Sequence, residues 1–192
     1  HLEEANYLLG FATEWGGNPS ESLVVYERML DTWPDGAFAM DARFRRVEAM
    51  GRAGDPHGAQ LALRQDFRHW SNLSDDDQRK LAILAGVWLI QDRHQRRGTR
   101  QLIAALADAA DRVPYYQAMA RSTLVEVLMA RSASVPLENR RSFHRGVRTR
   151  AAYLSAAKAQ LDPTITLREH RWILTQLHAL GLGYEQFGDD LL

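Results

Sequence analysis

The chain has 192 residues with 24 basic and 24 acidic side chains, so no overall charge favours a nucleic acid or an anionic membrane as its partner. It contains no cysteine, which excludes disulfides, thiolate catalysis and cysteine-ligated zinc. A membrane-spanning helix needs roughly 18 or more consecutive apolar residues, and no stretch of the sequence reaches that length. We therefore expect no transmembrane segment.

The first third of the chain predicts two helical hairpins. The expected helices span residues 3–15, 19–32, 37–52 and 56–70. Gly17 separates the first pair and Gly54 the second, at an offset of 37 residues. After each glycine come a proline and then a small residue, Ser22 or Ala59, followed by a large apolar residue. Self-similarity at such a period indicates stacked repeats.

Glycines mark the expected helix contacts and turns. Gly10 and Gly181 are expected to let a facing helix approach closely, because a side chain there would hold the two helices apart. Gly17, Gly54 and Gly188 are expected at helix reversals, where a positive φ is easily adopted only by glycine.

A third, degenerate hairpin is expected after a turn over residues 71–74. Ser74 precedes three aspartates and predicts a helix N-cap, since negative charge suits the first turn of a helix. Gly86 is expected to act as Gly10 does in the first helix. A long charged linker over 92–98 then leads to a second helix over 99–112.

The remaining sequence predicts longer helices. One is expected over 114–132 and another over 137–161. Pro163 is expected to stop the helix before it, and Thr166 to begin a capping box for a last helix that ends at Phe187.

These residues resemble the tetratricopeptide repeat family. In that family a first helix carries Leu-Gly-x-x-Tyr, a turn often reads Gly-Asp, and a second helix carries Ala-x-x-x-Phe before a proline. The matching residues of the first unit are Leu9, Gly10, Gly17, Ser22, Tyr26 and Pro34. Those of the last segment, which holds only half a repeat, are Leu180, Gly181, Tyr184, Gly188 and Asp189. The second unit is a weaker copy, with Val47 at the packing glycine.

The resemblance implies an all-α fold, namely a right-handed superhelix of antiparallel helical hairpins that forms a single array over residues 1–192. The expected units are a repeat over 1–34, a repeat over 35–71, a degenerate repeat over 72–113, a degenerate hairpin over 114–161, and a helix with a truncated repeat over 162–192. The first residue is not Met and the last falls within a repeat, so both ends are expected to be boundaries within a longer protein.

The resemblance also implies a concave groove lined by the first helices of successive repeats. The residues expected to face it are Glu4, Tyr7, Phe11, Glu14, Trp15, Asp41, Phe44, Glu48, Arg52, Lys80, Ile83, Val87, Gln91, His178, Leu182 and Glu185. Aromatic side chains are frequent interface anchors. The expected partner-binding residues are Tyr7, Phe11, Trp15, Phe44, Arg52 and Lys80. The alternative is that Tyr7, Phe11 and Trp15 only cover one end of the array or pack on a preceding repeat.

The function expected from this groove is that of a protein–protein interaction scaffold or adaptor, which binds a peptide or partner protein in a bacterial multiprotein assembly. Lys80 and Lys158 are the only lysines, a bias typical of high-GC bacterial genomes. The run from Pro34 to Ala42 resembles periplasmic tetratricopeptide proteins of outer-membrane assembly, which favours the periplasm or envelope over the cytoplasm. A clamp for a chaperone's carboxylate tail is not expected, because Glu4 and Asp41 stand at two of its cationic or amide sites.

An alternative function is the binding of an anionic polymer, an exopolysaccharide or a nucleic acid. Arg141, Arg145 and Arg148 fall on one helical face, where guanidinium groups can grip phosphate or carboxylate. The other interpretation is a solvated outer face. No aromatic platforms for stacking bases accompany the row, so no nucleic acid is expected as a partner. A second basic cluster comprises Arg93, Arg96, Arg97 and Arg100.

No enzyme is expected. The sequence holds no His-Glu-x-x-His pair, no glycine-rich phosphate loop and no Gly-x-Ser-x-Gly elbow. Its histidines are scattered, so no catalytic residue, cofactor or metal site is expected.

Overall fold

The computed structural model describes residues 1–67, 73–107, 112–137 and 142–191. Across these ranges the chain forms helices and turns without any strand, which confirms the all-α class. The helices are α1 (Leu2–Trp15), α2 (Pro19–Thr32), α3 (Ala39–Arg52), α4 (Pro56–Phe67), α5 (Asp75–Gln91), α6 (Gln95–Ala107), α7 (Pro114–Ala133), α8 (Phe143–Lys158), α9 (Leu161–Thr166) and α10 (His170–Asp189). None of these helices is both long and apolar enough to cross a membrane.

The chain divides into two compact units, His1–Gln101 and Leu102–Leu192. A continuous superhelix over the whole chain stays a prediction. Parts of four predicted segments lie outside the described residues: the end of the helix predicted over 56–70, residues 71–72 of the predicted turn, residues 108–111 of the helix predicted over 99–112, and residues 138–141 of the helix predicted over 137–161.

In the first unit each helix packs against the next one along the chain, from α1 to α5. A core cluster at the first hairpin contains Tyr26, Met29, Leu30, Ala39 and Ala42, with Tyr7, Trp33 and Phe38 packed against it. Aromatic and aliphatic side chains of α1, α2 and the beginning of α3 therefore pack together and join the first hairpin to the second.

The two glycine turns have the expected conformation. Gly17 has φ +86° and Gly54 φ +97°, as predicted. Each glycine N–H donates to the carbonyl three residues earlier, and the next N–H donates to the carbonyl five residues earlier. A side-chain oxygen then caps the following helix: Asn18 accepts from the N–H of Glu21 at 3.3 Å, and Asp55 from that of Gly58 at 2.7 Å. The sequence repeat is thus also a repeat of local structure.

A third turn of the same kind follows α5. Arg93 occupies the glycine position with φ +66°, and its N–H and that of His94 donate to Ile90 and Leu89 in the same pattern. The prediction of a long linker over 92–98 is therefore wrong, because α6 begins at Gln95 directly after the turn. The left-handed arginine hid this turn from sequence analysis, which looks for glycine at such a site.

Small residues allow the helices to approach as expected. A Cβ atom on Gly10 would lie 2.6 Å from Cε1 of Tyr26, so α2 packs directly on this glycine. A Cβ on Gly98 would lie 2.6 Å from the carbonyl oxygen of Gly86, which brings α5 and α6 together at the glycine that the sequence singled out. Ser74 also caps α5, since its Oγ accepts from the N–H of Asp77 at 3.1 Å.

The second unit is built on α7, which packs against both α8 and α10. Its core contains Val125, Ala157 and Leu180. Two predictions fail here. Pro163 does not stop a helix but lies within α9, where the missing N–H costs little in the first turn. Thr166 ends α9 and its Oγ donates to the carbonyl of Asp162, so it caps nothing in α10.

The last helix also differs from the prediction. Gly188 lies inside α10 with no positive φ, so the chain does not reverse there. Nothing lies within 4 Å of a Cβ built on Gly181, whereas Gly10 is covered by Tyr26. The expected close contact at Gly181 is therefore wrong for the described part of the chain, in which no helix faces this glycine.

Candidate functional site: the aromatic row of α1 and its buried ion cluster

Three aromatic side chains form a continuous row along α1, which we call the aromatic row. The ring centroids of Tyr7 and Phe11 are 6.5 Å apart, and those of Phe11 and Trp15 are 5.7 Å apart. Tyr7 and Phe11 are half-buried, while Trp15 is 55% exposed. The row therefore runs from a packed end to an accessible end.

Tyr7 anchors the packed end. Its ring stacks on Phe38 with centroids 5.0 Å apart, and its hydroxyl donates to a carboxylate oxygen of Asp41. Burial raises the pKa of the Tyr7 hydroxyl, and the hydrogen bond to Asp41 raises it further. Tyr7 thus stays protonated and connects α1 to α3.

Glu14 lies beneath the row and is not accessible. It is 1% exposed, and its Oε1 is 2.8 Å from Nη1 of Arg52. Its other oxygen accepts a hydrogen bond from the Tyr26 hydroxyl at 3.2 Å. Burial raises the pKa of Tyr26, and the negative charge of Glu14 adds to this rise. The expectation that Glu14 faces a groove is wrong.

Glu48 completes a cluster of two carboxylates and two guanidiniums, which we call the ion cluster. Glu48 is 1% exposed and lies 3.7 Å from Arg45 and 3.9 Å from Arg52. Arg45 also approaches Glu14 at 3.8 Å. The charges balance, so two buried carboxylates are tolerated where one alone would be costly. The sequence signal was partial: the pairs within α3 are spaced by three and four residues, but only the fold brings α1 to them.

Arg45 connects the ion cluster to the aromatic row. The central carbon of its guanidinium lies 5.0 Å from the centroid of the Phe11 ring. Such a contact is favourable because the ring face carries partial negative charge. Sequence analysis missed Arg45 as a determinant of this surface and assigned that role to Glu14 and Glu48.

Of the other residues expected to line the groove, some lie in the core and others are at least partly exposed. Phe44 has no exposed surface and stacks on Phe67 with centroids 4.7 Å apart, so it belongs to the core and cannot contact a partner. Ile83 and Val87 are also buried. Lys80 is partly exposed, with Nζ 5.2 Å from the Phe44 ring centroid and 3.0 Å from a carboxylate oxygen of Asp77.

The arginine row can be described only in part, because Arg141 lies outside the described residues. Arg145 and Arg148 are exposed on α8. Together with Thr149, Ala152 and Tyr153 they line an open cavity of about 620 Å³. Within the described part of the second unit, neither arginine makes an ion pair.

A smaller cavity of about 320 Å³ lies between α7, α8 and α10. Arg150 is buried at its wall, where its Nε donates to the carbonyl of Val135 at 2.8 Å and its Nη1 contacts Asp190. Glu126 lies at the rim, where the residue is exposed overall but partial desolvation raises the pKa of its carboxyl. Among the described residues, no three His, Asp or Glu side chains are grouped to hold a metal ion.

No family model, curated protein or solved structure matches this chain.

Proposed function

We propose that the chain is a tetratricopeptide-like interaction module whose first unit binds a partner protein or peptide through the aromatic row. The repeat is supported by three turns at Gly17, Gly54 and Arg93, which share one hydrogen-bond pattern. It is further supported by the close helix contacts at Gly10 and Gly86. Repeats of helical hairpins commonly serve as binding scaffolds.

The observation that carries this proposal is the exposed Trp15 at the accessible end of the aromatic row. An indole with more than half of its surface in water offers a large apolar area for burial by a partner. Phe11 beside it is fixed from one side by Arg45. Because the ion cluster already orders this surface, a partner would bind at a reduced cost in side-chain entropy.

The chemistry of the partner follows from the charges. Arg45 and Arg52 contact the buried carboxylates of Glu14 and Glu48, so their charge is largely balanced. The surface therefore suits a segment with apolar or aromatic anchors better than a strongly acidic one. Binding through apolar burial is expected to change little with salt.

The test is selection of binders from a displayed library of random peptides, followed by titration of fluorescently labelled peptides monitored by fluorescence anisotropy. We expect selected peptides to carry apolar anchors. Phe11→Ala combined with Trp15→Ala should weaken their binding by at least about 30-fold, since loss of one interface anchor costs about 2 kcal/mol or more.

Two exposed apolar residues outside the row supply the control. Val24 is 61% exposed on α2 and Leu61 is 44% exposed on α4. Val24→Ala with Leu61→Ala removes exposed apolar surface outside the row and should leave binding unchanged. The proposal fails if both double variants bind selected peptides equally well, or if circular dichroism shows that the row variant has lost its helices.

A second candidate function is supported by Arg145 and Arg148. Both are exposed, line the same cavity and make no ion pair in the described residues of their unit. Two guanidiniums held this way suit a sulfated or phosphorylated polymer. The chain has as many acidic as basic residues, 24 of each, and this favours peptide binding over the binding of an anionic polymer.

A further inference from the structure

The cavity between α7, α8 and α10, which we call the three-helix cavity, lies where three helices of the second unit all contact one another. Its volume of about 320 Å³ falls at the lower end of the roughly 300–1,000 Å³ found for small-molecule sites. Most of its wall is apolar and is formed by Met129, Ala130, Ala133, Ala179, Leu182 and Phe187. The three-helix cavity therefore suits a small molecule with an apolar body.

Arg150 places a positive charge in this apolar wall. Its side chain is only 7% exposed. Nε donates to the carbonyl of Val135 at 2.8 Å, and Nη1 donates to a carboxylate oxygen of Asp190. Within the described residues, Nη2 has no hydrogen-bond partner. Because the guanidinium fork matches the two oxygens of one carboxylate, Arg150 is suited to hold a carboxylate in the cavity.

Asp190 already supplies a carboxylate to this guanidinium. It directly follows α10, and its side chain is 39% exposed, whereas that of Arg150 is buried. An exposed carboxylate loses little on release, because water solvates it and ion pairs with exposed groups are weak. The buried guanidinium, in contrast, needs a negative partner. A ligand carboxylate can therefore take the place of Asp190.

Glu126 limits what the opposite end of a ligand can carry. It lies six residues before Ser132, which is about 9 Å along α7. The Oγ of Ser132 is 3.5 Å from the carbonyl oxygen of Arg150, whose side chain extends from there to Val135 and Asp190, away from Glu126. When ionised, the Glu126 carboxyl repels a second anionic group at its end of the cavity. The ligand is therefore charged at one end only.

We propose that the three-helix cavity binds a small monocarboxylate with an apolar body, whose carboxylate replaces Asp190 on Arg150 and whose apolar part packs on Met129. This site lies in the second unit and does not depend on the function proposed for the first unit. A ligand of this size makes few contacts, so its dissociation constant is on the order of 100 µM.

The test is nuclear magnetic resonance of the full chain with ¹³C-labelled methionine methyl groups, titrated with sodium octanoate to about 3 mM, well above this dissociation constant. The Met129 signal should shift. The signals of Met40 and Met50, which are partly exposed on α3 of the first unit, should stay in place and report any unspecific binding.

Two compounds of the same chain length test the charge requirement. 1-Octanol lacks the carboxylate and should bind at least about 10-fold more weakly, because it loses the charge-assisted hydrogen bonds to Arg150. Suberate carries a carboxylate at both ends. It should also bind at least about 10-fold more weakly, because its second charge would have to leave water beside an apolar wall and near Glu126.

Substitutions test the exchange of carboxylates without replacing Arg150, whose Nε also holds the turn after α7. Asp190→Asn removes the competing charge and should tighten octanoate binding at least about 3-fold. Asp189→Asn is the matched control, since Asp189 is exposed and makes no hydrogen bond or ion pair within the described residues. Ala133→Leu narrows the cavity and should weaken binding at least about 10-fold. Ala151→Leu, exposed on α8 outside the cavity wall, should not change it.

Circular dichroism confirms that the helices of each variant are intact, as expected for substitutions at exposed positions. The proposal is overturned if octanoate does not move the Met129 signal, or if it moves the signals of Met40 and Met50 equally. It is equally overturned if 1-octanol or suberate binds as tightly as octanoate, or if Asp190→Asn binds octanoate no more tightly than Asp189→Asn. None of these outcomes bears on peptide binding by the aromatic row, which lies in the first unit.

Discussion

Arg93 is the residue at which this chain departs most clearly from its own repeat. Its backbone is left-handed, like that of Gly17 and Gly54 at the equivalent turns, yet it carries a side chain. A left-handed conformation costs an ordinary residue about 1–2 kcal/mol and glycine almost nothing. The turn is kept because the hydrogen bonds around it and the packing of α5 on α6 require it.

Arg93→Gly should therefore stabilise the first unit, by about 1 kcal/mol after allowing for the greater flexibility of glycine when unfolded. The side chain is exposed and makes no hydrogen bond or ion pair within the described residues, so its removal loses nothing else. Chemical denaturation measures the change. The reverse substitution, Gly54→Arg, is the control and should destabilise by a similar amount. If Arg93→Gly does not raise the free energy of unfolding, the backbone at Arg93 is not strained.

Gly10 and Gly181 share a sequence context and differ in their surroundings. Gly10→Ala places a methyl group 2.6 Å from the buried Tyr26 ring and should destabilise the fold by about 1–3 kcal/mol. Gly181→Ala meets no neighbour and should stabilise by up to about 1 kcal/mol, because alanine is the better helix former. Thermal melts at low protein concentration compare the two variants. If the melting temperature shifts in the same direction in both variants, the two glycines do not differ in their surroundings as described.

At the scale of helices, the sequence predicted where helices and turns occur better than it predicted which helix faces are buried. Gly17, Gly54 and Ser74 carry strong local signals, and their turns and cap were predicted correctly. Arg93 carries no such signal, so the length of the third turn was missed. Glu14 and Phe44 were assigned to a groove because helical spacing shows which residues share one face of a helix. It does not show which face a neighbouring helix will cover, and both residues are buried.

The ion cluster links α1 to α3 through Glu14. Glu14→Ala removes the acceptor of the Tyr26 hydroxyl and leaves Arg52 with only the longer contact to Glu48 at 3.9 Å. It should destabilise by about 2–3 kcal/mol, somewhat less than breaking a fully buried pair, because the Arg52 side chain is 21% exposed. Urea denaturation measures this loss. Asp66→Ala breaks the more exposed Arg46–Asp66 pair and should cost about 1 kcal/mol or less. Equal losses of stability in the two variants would contradict the role of Glu14 as a buried link between α1 and α3.

In α7, the environment of Glu126 predicts a pH dependence. Burial raises the pKa of this carboxyl above its ordinary value, so the folded state binds a proton more tightly than the unfolded state does. Its contribution to stability is therefore complete below the ordinary pKa of Glu and is lost as pH rises through the raised pKa. Glu126→Gln should stabilise the fold at pH 7 by less than about 1 kcal/mol, because this side chain is partly solvated.

The same substitution should have little effect near pH 3.5, where the carboxyl is protonated in both states. Melting temperatures of the unchanged chain and of Glu126→Gln across this pH range supply the comparison. A stabilisation that does not vary with pH would show that desolvation of the charge is not its cause.

For the whole molecule, charge balance decides between the two candidate functions. Each arginine that contacts a duplex phosphate adds roughly 0.9 to the slope of log affinity against log salt. With 24 basic and 24 acidic residues, the chain should bind neither DNA nor heparin measurably at physiological salt. Fluorescence anisotropy at low and physiological salt is the measurement. Tight, salt-sensitive binding that Arg145→Ala with Arg148→Ala abolishes, and Arg96→Ala with Arg97→Ala does not, would favour the alternative.

The pairing of each helix with its successor in the first unit has a consequence for how the chain folds. Because most partners are close in sequence, the loops that must close before a contact forms are short, and folding is expected to be fast. The nucleus need not lie at one fixed place, since any hairpin can form and recruit its neighbours. The first hairpin, where Tyr26 packs on Gly10 and donates to Glu14 of the ion cluster, is the natural starting point. Substitutions there should slow folding, whereas substitutions in α5 should mainly speed unfolding.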